Sequence, residues 1–218
     1  KKPYFRRKEI KAMKKSSILI LIIICLVGCK KGSNETTITG EIKGLGTDTL
    51  YLYGMDELYD RIDTIYVEND KFSYTTSVDT ITSAYLLLKN RIEYPVFLDK
   101  GNKIKIKGDT INLNFLTISG NIYNEEFTDF QKALEDPADP SEKAGEETVD
   151  KRITVEKANT AEEMAEEFIL QHHSSYVSLY LLDKYFVQKE TPDFSKIKKL
   201  VEVMTGVLQD KTYIERLN

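Results

Sequence analysis

One side chain in this sequence stands in a setting that prescribes a reaction. Cys29 closes the run Leu26-Val27-Gly28-Cys29, which follows a cationic start at Met13-Lys14-Lys15 and an apolar core from Ile18 to Val27. A basic flank, a short greasy stretch and a small residue before the cut form the grammar of a secretory signal. With cysteine in last place the pattern matches a lipobox, the alternative being an ordinary secreted protein cut near Gly28 with Cys29 incidental. In a lipobox the thiol of Cys29 is alkylated with diacylglycerol, the chain is cut before it, and the new amino group is acylated. The apolar core of about 10 residues would reach roughly 15 Å as a helix, half of the ~30 Å hydrocarbon layer, so it is too short to span one. Each buried CH2 of the lipid contributes about 0.8 kcal/mol to anchoring. The partner this chemistry calls for is a membrane, reached through the lipid.

Cysteine usage excludes other chemistries. The sequence has 2 cysteines, Cys25 and Cys29. The first leaves with the signal and the second carries lipid, so the processed chain keeps no free thiol for a disulfide, a CxxC redox pair or a thiolate metal site. The histidines, His172 and His173, are adjacent, and on a helix their side chains diverge by ~100°. No carboxylate or thiol stands at the spacing of a helical zinc site. A helix C-terminus, where histidine caps carbonyls, is the expected setting. Glu162-Glu163 and Glu166-Glu167 form an i, i+4 carboxylate cluster, read as a solvated helix face. No GxSxG elbow, phosphate-cradling glycine loop or GxGxxG occurs. The expectation is a chain with no catalytic residue, metal or cofactor of its own.

The remaining candidates are aromatic. Tyr51, Tyr53, Tyr59, Tyr66, Tyr74, Tyr85 and Tyr94 crowd one half of a chain that has 13 tyrosines and no tryptophan. Tyrosine suits half-buried strand positions, ring packed and hydroxyl wet. Three or more exposed together would instead mark a binding face for a glycan or peptide.

The elements that position these residues fall into two regions. Residues 1–28 read as the signal, with 1–12 outside fold reasoning, and 29–36 as a lipidated polar tether. From 37 to 120 the pattern is β: short runs of β-branched and aromatic residues broken by turn residues about every 8–12 positions. Eight strands on that spacing predict an antiparallel β-sandwich or open barrel, followed by a helical extension over 121–218, an α+β chain. Ile62–Val67 and Phe72–Thr75 read as one hairpin about Glu68-Asn69-Asp70, and Pro95–Leu98 with Lys103–Lys107 as a second. Ala84–Leu88, almost wholly apolar, belongs inside a sheet. In Lys103–Lys107 the isoleucines face inward and the lysines face water, which also discourages edge-to-edge pairing. Leu113–Ile118 reads as the closing strand.

Tyr123, Phe127, Phe130 and Leu134 recur at helical spacing. Two prolines amid acids after Glu135 predict a loop to about Val149. Further helices carry Met164, Phe168 and Ile169, then Tyr176, Leu179 and Tyr180 behind a Ser174 or Ser175 cap. A last helix, capped by Thr191 with Pro192 in its first turn, carries Phe194, Ile197, Leu200-Val201, Met204 and Val207-Leu208. Net charge is -4 and the lysines are interspersed with acids, so no basic face for nucleic acid is expected.

The stretches TITGEIKGLGTDTLYLYGMDE, DRIDTIYVENDKFSYTTSV and YPVFLDKGNKIKIKGD behind a lipobox, with HHSSYVSLYLLDKYF and DFSKIKKLVEVM in the tail, resemble one family. It is the uncharacterised N-terminal β-rich domain of Bacteroidota lipoproteins, which in its commonest setting precedes a thioredoxin-like thiol-disulfide oxidoreductase domain. Asn69-Asp70-Lys71-Phe72 departs from the family in having lysine where glycine is usual. The Gly-x-x-Ala-Pro and Trp-Cys-x-x-Cys motifs of the redox domain do not occur, so no redox residue can be carried over. The lipobox and the missing thiol predict a non-catalytic, lipid-anchored envelope module that binds or spaces, and Lys30-Lys31 after Cys29, in place of an acidic cluster, favours the periplasm-facing side of the outer membrane; the resemblance implies that it positions or partners a thioredoxin-like domain or protein. The rival reading is the front end of a full thiol-disulfide oxidoreductase. A glycan- or peptide-binding surface lipoprotein is the third reading.

Overall fold

A computed structural model describes residues 34–55, 58–135, 149–205 and 208. Cys29 and the lipobox residues Leu26, Val27 and Gly28 therefore lie outside the described residues, as do the acidic loop and Tyr213, Ile214 and Leu217. Eight strands build two four-stranded sheets: β1 (Glu35–Lys43), β2 (Asp48–Gly54), β3 (Ile62–Val67), β4 (Lys71–Ser77), β5 (Thr82–Leu87), β6 (Glu93–Leu98), β7 (Lys103–Asp109) and β8 (Thr117–Ser119). One sheet runs β4-β1-β7-β8 and the other β3-β2-β5-β6, so the pair is a sandwich and does not close into a barrel. Helices α1 (Ile122–Glu135), α2 (Val149–Gln171), α3 (Tyr176–Leu182) and α4 (Phe194–Val203) follow, with a π-helical turn at Asp183–Val187. No helix among the described residues is long and apolar enough to cross a membrane.

Strand alternation fills the core. Ile38, Ile42, Ile104, Ile106 and Ile118 come from the first sheet and Leu50, Leu52, Ile65, Val67, Leu86, Val96 and Leu98 from the second, all buried. Gly40 sits opposite Phe72 in the β1–β4 register, and a Cβ there would clash with the Phe72 ring, closest to its Cζ. The absent side chain lets that ring lie across β1.

The connections differ from the hairpins the spacing predicts. β3 and β4 share the tight turn Glu68–Lys71, whose backbone groups pair both ways at 2.9 and 3.0 Å, but the strands then part into different sheets. Asn69 and Asp70 both have positive φ, the demand of a type I′ turn, which Asn and Asp meet without glycine. β6 and β7 likewise part, β6 pairing with β5 while β7 joins β1. The β1–β7 ladder is parallel, the exception in an otherwise antiparallel pattern. Local alternation identifies strands but carries no information on which sheet a strand joins. β7 is consequently interior rather than an edge, and its lysines cover a face. β5 is interior as read.

Helix α1 closes the sandwich by replacing a missing strand on two edges. At β6, Asn124 Oδ1 accepts from Phe97 N at 3.0 Å, and Asn124 Nδ2 and Asn121 Nδ2 each donate to Phe97 O at 2.8 Å. At β8, Thr128 Oγ1 accepts from Ile118 N at 2.9 Å and donates to Ile118 O at 3.0 Å. Unpaired edge groups are an aggregation liability, and here α1 and Asn121 just ahead of it satisfy those of Phe97 and Ile118. Tyr94 adds a buried tie, its hydroxyl donating to Leu116 O at 2.7 Å and accepting from Leu116 N at 3.1 Å. Pro95 is tolerated in β6 because that strand is an edge.

In the helical region Ser175 caps α3, accepting from Val177 N at 3.2 Å. Asp193 caps α4, accepting from Lys196 N at 3.1 Å, which displaces the expected Thr191 cap and puts Pro192 outside the helix. Phe194 is 76% exposed instead of joining the stripe of Ile197, Leu200, Val201 and Met204. The later cap starts the helix at Phe194 and turns its first position outward.

Candidate binding face

The two sheets treat their outward positions differently. On β2, Leu50 and Leu52 point inward, leaving Thr49, Tyr51 and Tyr53 outward; on β3, Ile62, Thr64 and Tyr66 point outward. Cross-strand register sets Tyr53 opposite Ile62, Tyr51 opposite Thr64 and Thr49 opposite Tyr66. Tyr66 and Ile62 are each 73% exposed and Tyr51 is 41% exposed. Diagonal neighbours on a sheet lie about 7–8 Å apart. Tyr51, Tyr53, Tyr66 and Ile62 therefore form one apolar, hydroxyl-edged patch interleaved with Thr49 and Thr64.

The patch continues inward. The Tyr53 ring lies 5.7 Å from Tyr85, and Tyr85 lies 6.5 Å from Tyr180 of α3. The Tyr53 hydroxyl donates to Glu93 Oε1. Burial, followed by the charges of Asp183 and Glu93, pushes the Tyr85 phenol up to about 12. Burial and the bond to Glu93 raise Tyr53 as well. Both are neutral hydrogen-bond donors at physiological pH.

Beyond Tyr180 the surface dips into a cleft of about 180 Å3 between β6, the 112–116 turn, α1 and the π turn. Its walls include Pro95, Phe115, Phe130, Leu134 and Tyr185. The π turn closes with Gln188 N donating to Asp183 O at 3.0 Å, five residues back. The adjacent residues Lys184 and Tyr185 both reach the cleft from this turn.

Of the remaining tyrosines, Tyr94 and Tyr59 are buried. The Tyr59 hydroxyl donates to Asp63 and lies 3.1 Å from Thr76 Oγ1, and Arg61 Nη2 donates to Ser77 O at 3.0 Å. Arg61 also sits 4.7 Å over the Tyr59 ring. Desolvation pushes the Asp63 carboxyl up, but hydrogen bonds from Tyr59, Tyr74 and Arg61 outweigh it and hold the group below its usual range. Every polar partner here is another residue of the network, so the cluster pins β3 to β4.

The histidines diverge as their adjacency requires. His172 follows α2, its ring stacked 4.2 Å from Phe168 and its Nδ1 3.4 Å from Glu126 Oε1; His173 Nδ1 lies 2.9 Å from Thr205 Oγ1. Three of the four clustered glutamates are engaged, Glu167 accepting from Gln171 Nε2 at 2.9 Å on its own helix and the other two reaching lysines. Glu162 meets Lys189 at 2.6 Å and Lys196 at 3.5 Å, and Glu166 meets Lys196 at 2.7 Å, a clasp from α2 to α4. Sequence reasoning overlooked Ile62, Glu93 and Lys184. Ile62 was visible as an apolar residue on the wrong side of an alternating strand. Lys184 carried no such signal, because its place depends on the π turn.

Residues 36–127 match the family model described as a domain of unknown function, DUF4369. The match runs from β1 to Phe127 in α1, so it takes in the asparagines that seal the β6 edge. No curated protein matches the chain.

Proposed function

We propose that the protein is a lipid-anchored, periplasm-facing envelope component whose sandwich and helical extension act as a non-catalytic binding or spacer module beside a thioredoxin-like domain or protein. The observation that carries this reading is positional: the domain match begins at residue 36, seven residues beyond the lipobox cysteine, Cys29. At most about 3.5 Å per extended residue, that link holds the domain within roughly 25 Å of the acylated end. Cys29→Ala should abolish labelling by fatty-acid analogues and leave an uncut precursor; persistent labelling of that variant would refute the anchor. Co-purification of a WCxxC-bearing protein in vivo, or a reading frame that continues into such a domain, tests the redox partnership. Absence of both would remove it.

The exposed patch of Tyr51, Tyr66 and Ile62 favours a second reading, a glycan- or peptide-binding lipoprotein. Aromatic faces stack on the apolar faces of sugars, and the interleaved threonines offer hydroxyls. Tyr51→Ser with Tyr66→Ser should erase any glycan or peptide binding seen by calorimetry. Unchanged affinity would exclude the patch.

A further inference from the structure

The cleft beneath the π turn is chemically lopsided. Pro95, Phe115, Phe130 and Leu134 present apolar walls, and Tyr180 and Tyr185 present rings. Lys184 Nζ lies 5.6 Å from each of those two ring centroids. Among the described residues the other cations of this region are paired, Lys189 and Lys196 with Glu162 and Glu166, whereas Lys184 meets only π faces. Glu93, the acid in the cleft wall, is engaged by the Tyr53 hydroxyl.

We propose that this cleft binds a small carboxylate whose apolar body is about one ring in size, the carboxylate meeting Lys184 Nζ and the body entering between Phe115, Phe130 and Leu134. The volume suits that body: about 180 Å3 compares with the roughly 150 Å3 in which an apolar protein cavity holds benzene. Ring faces attract the ammonium but leave its N–H donors without a strong acceptor, and a carboxylate supplies one through charge-assisted bonds. Lys184 as a residue is solvent-exposed, yet the atoms gathered about its ammonium desolvate it and lower its pKa, the direction expected for a cation lacking an anion. Two sources offer this chemistry, a free aryl carboxylate and the C-terminus of a peptide ending in an apolar residue.

Calorimetry on the full chain tests it with N-acetylphenylalanine, its carboxamide and 3-phenylpropionate. The acid should bind at least about ten-fold more tightly than the amide. Lys184→Met should erase that difference, and Lys184→Arg should keep most of it. Equal affinity for acid and amide, or no saturable binding by the wild-type chain at millimolar ligand, overturns the proposal without recourse to any variant. Binding of 3-phenylpropionate as strongly as N-acetylphenylalanine assigns the site to free carboxylates. Binding of N-acetylphenylalanine alone assigns it to peptide ends.

Discussion

The outward faces of the two sheets follow the same alternation and reach opposite ends. The β4-β1-β7-β8 sheet turns out Ser73, Thr75, Thr37, Thr39, Lys103, Lys105 and Lys107, a wholly polar face. The β3-β2-β5-β6 sheet divides. Its β6 side is buried on both faces, Phe97 lying against Tyr123 and Phe127 of α1, while its β2–β3 side keeps tyrosines and an isoleucine in water. Composition at outward positions decides which face a helix will cover. Apolar residues on the same sheet that no described residue covers therefore mark surface available for something else.

That contrast can be broken hardest at the covered half. Phe127→Ala removes a buried ring that packs on Tyr94, Phe97 and Tyr180, and should cost about 3–5 kcal/mol in denaturant unfolding. A loss below about 1 kcal/mol would mean that α1 does not depend on this contact. Asn124→Ala leaves Phe97 N without its buried partner and should cost about 1–3 kcal/mol. It should also speed amide exchange at the β6 edge, which hydrogen-exchange measurement can localise.

Acid titration separates the two ionic ties. The bond from Lys189, and then its charge and that of Lys196, hold the Glu162 carboxyl below its ordinary value of 4.5; the corresponding value for Asp63 is 3.8. Both pKa values are depressed on folding, so each contribution is present above the ordinary value and fades as pH falls through the folded one. Loss of stability from about pH 4.5 downward should be smaller in Glu162→Gln, and loss below about 3.8 smaller in Asp63→Asn. Profiles that superimpose on wild type would remove these pairs from the account. The smallest effects belong to the open faces. Tyr66→Ser and Lys105→Ser should each stay within about 0.5 kcal/mol of wild type in thermal melts. A clearly larger loss at Tyr66 would show that its exposed ring is structural, and that the patch is no docking surface.

Much of the architecture was legible in residue order because its signals are local. Leu50 and Leu52 alternating with Tyr51 and Tyr53 announce a one-sided strand; Tyr123, Phe127 and Phe130 announce a helix; Ser175 announces a cap. Pairing was not legible, because Ile62–Val67 and Phe72–Thr75 look like a hairpin from either sheet. The Asp193 cap and the outward Phe194 depend on a shift of two residues, which apolar spacing alone does not resolve. Exposure of tyrosine is a tertiary property too: Tyr59 and Tyr66 each follow an aliphatic residue, yet one closes a buried network and the other stands in water.

The residue order alone determined the strand-then-helix succession and the inward isoleucine and leucine rows, since each is written within a few neighbouring positions. Only tertiary packing decided which sheet each strand entered, that α1 would stand in for a missing strand on two edges, and that Lys184 would be left facing tyrosine rings. Those outcomes turn on contacts between residues tens of positions apart, where no periodicity reaches.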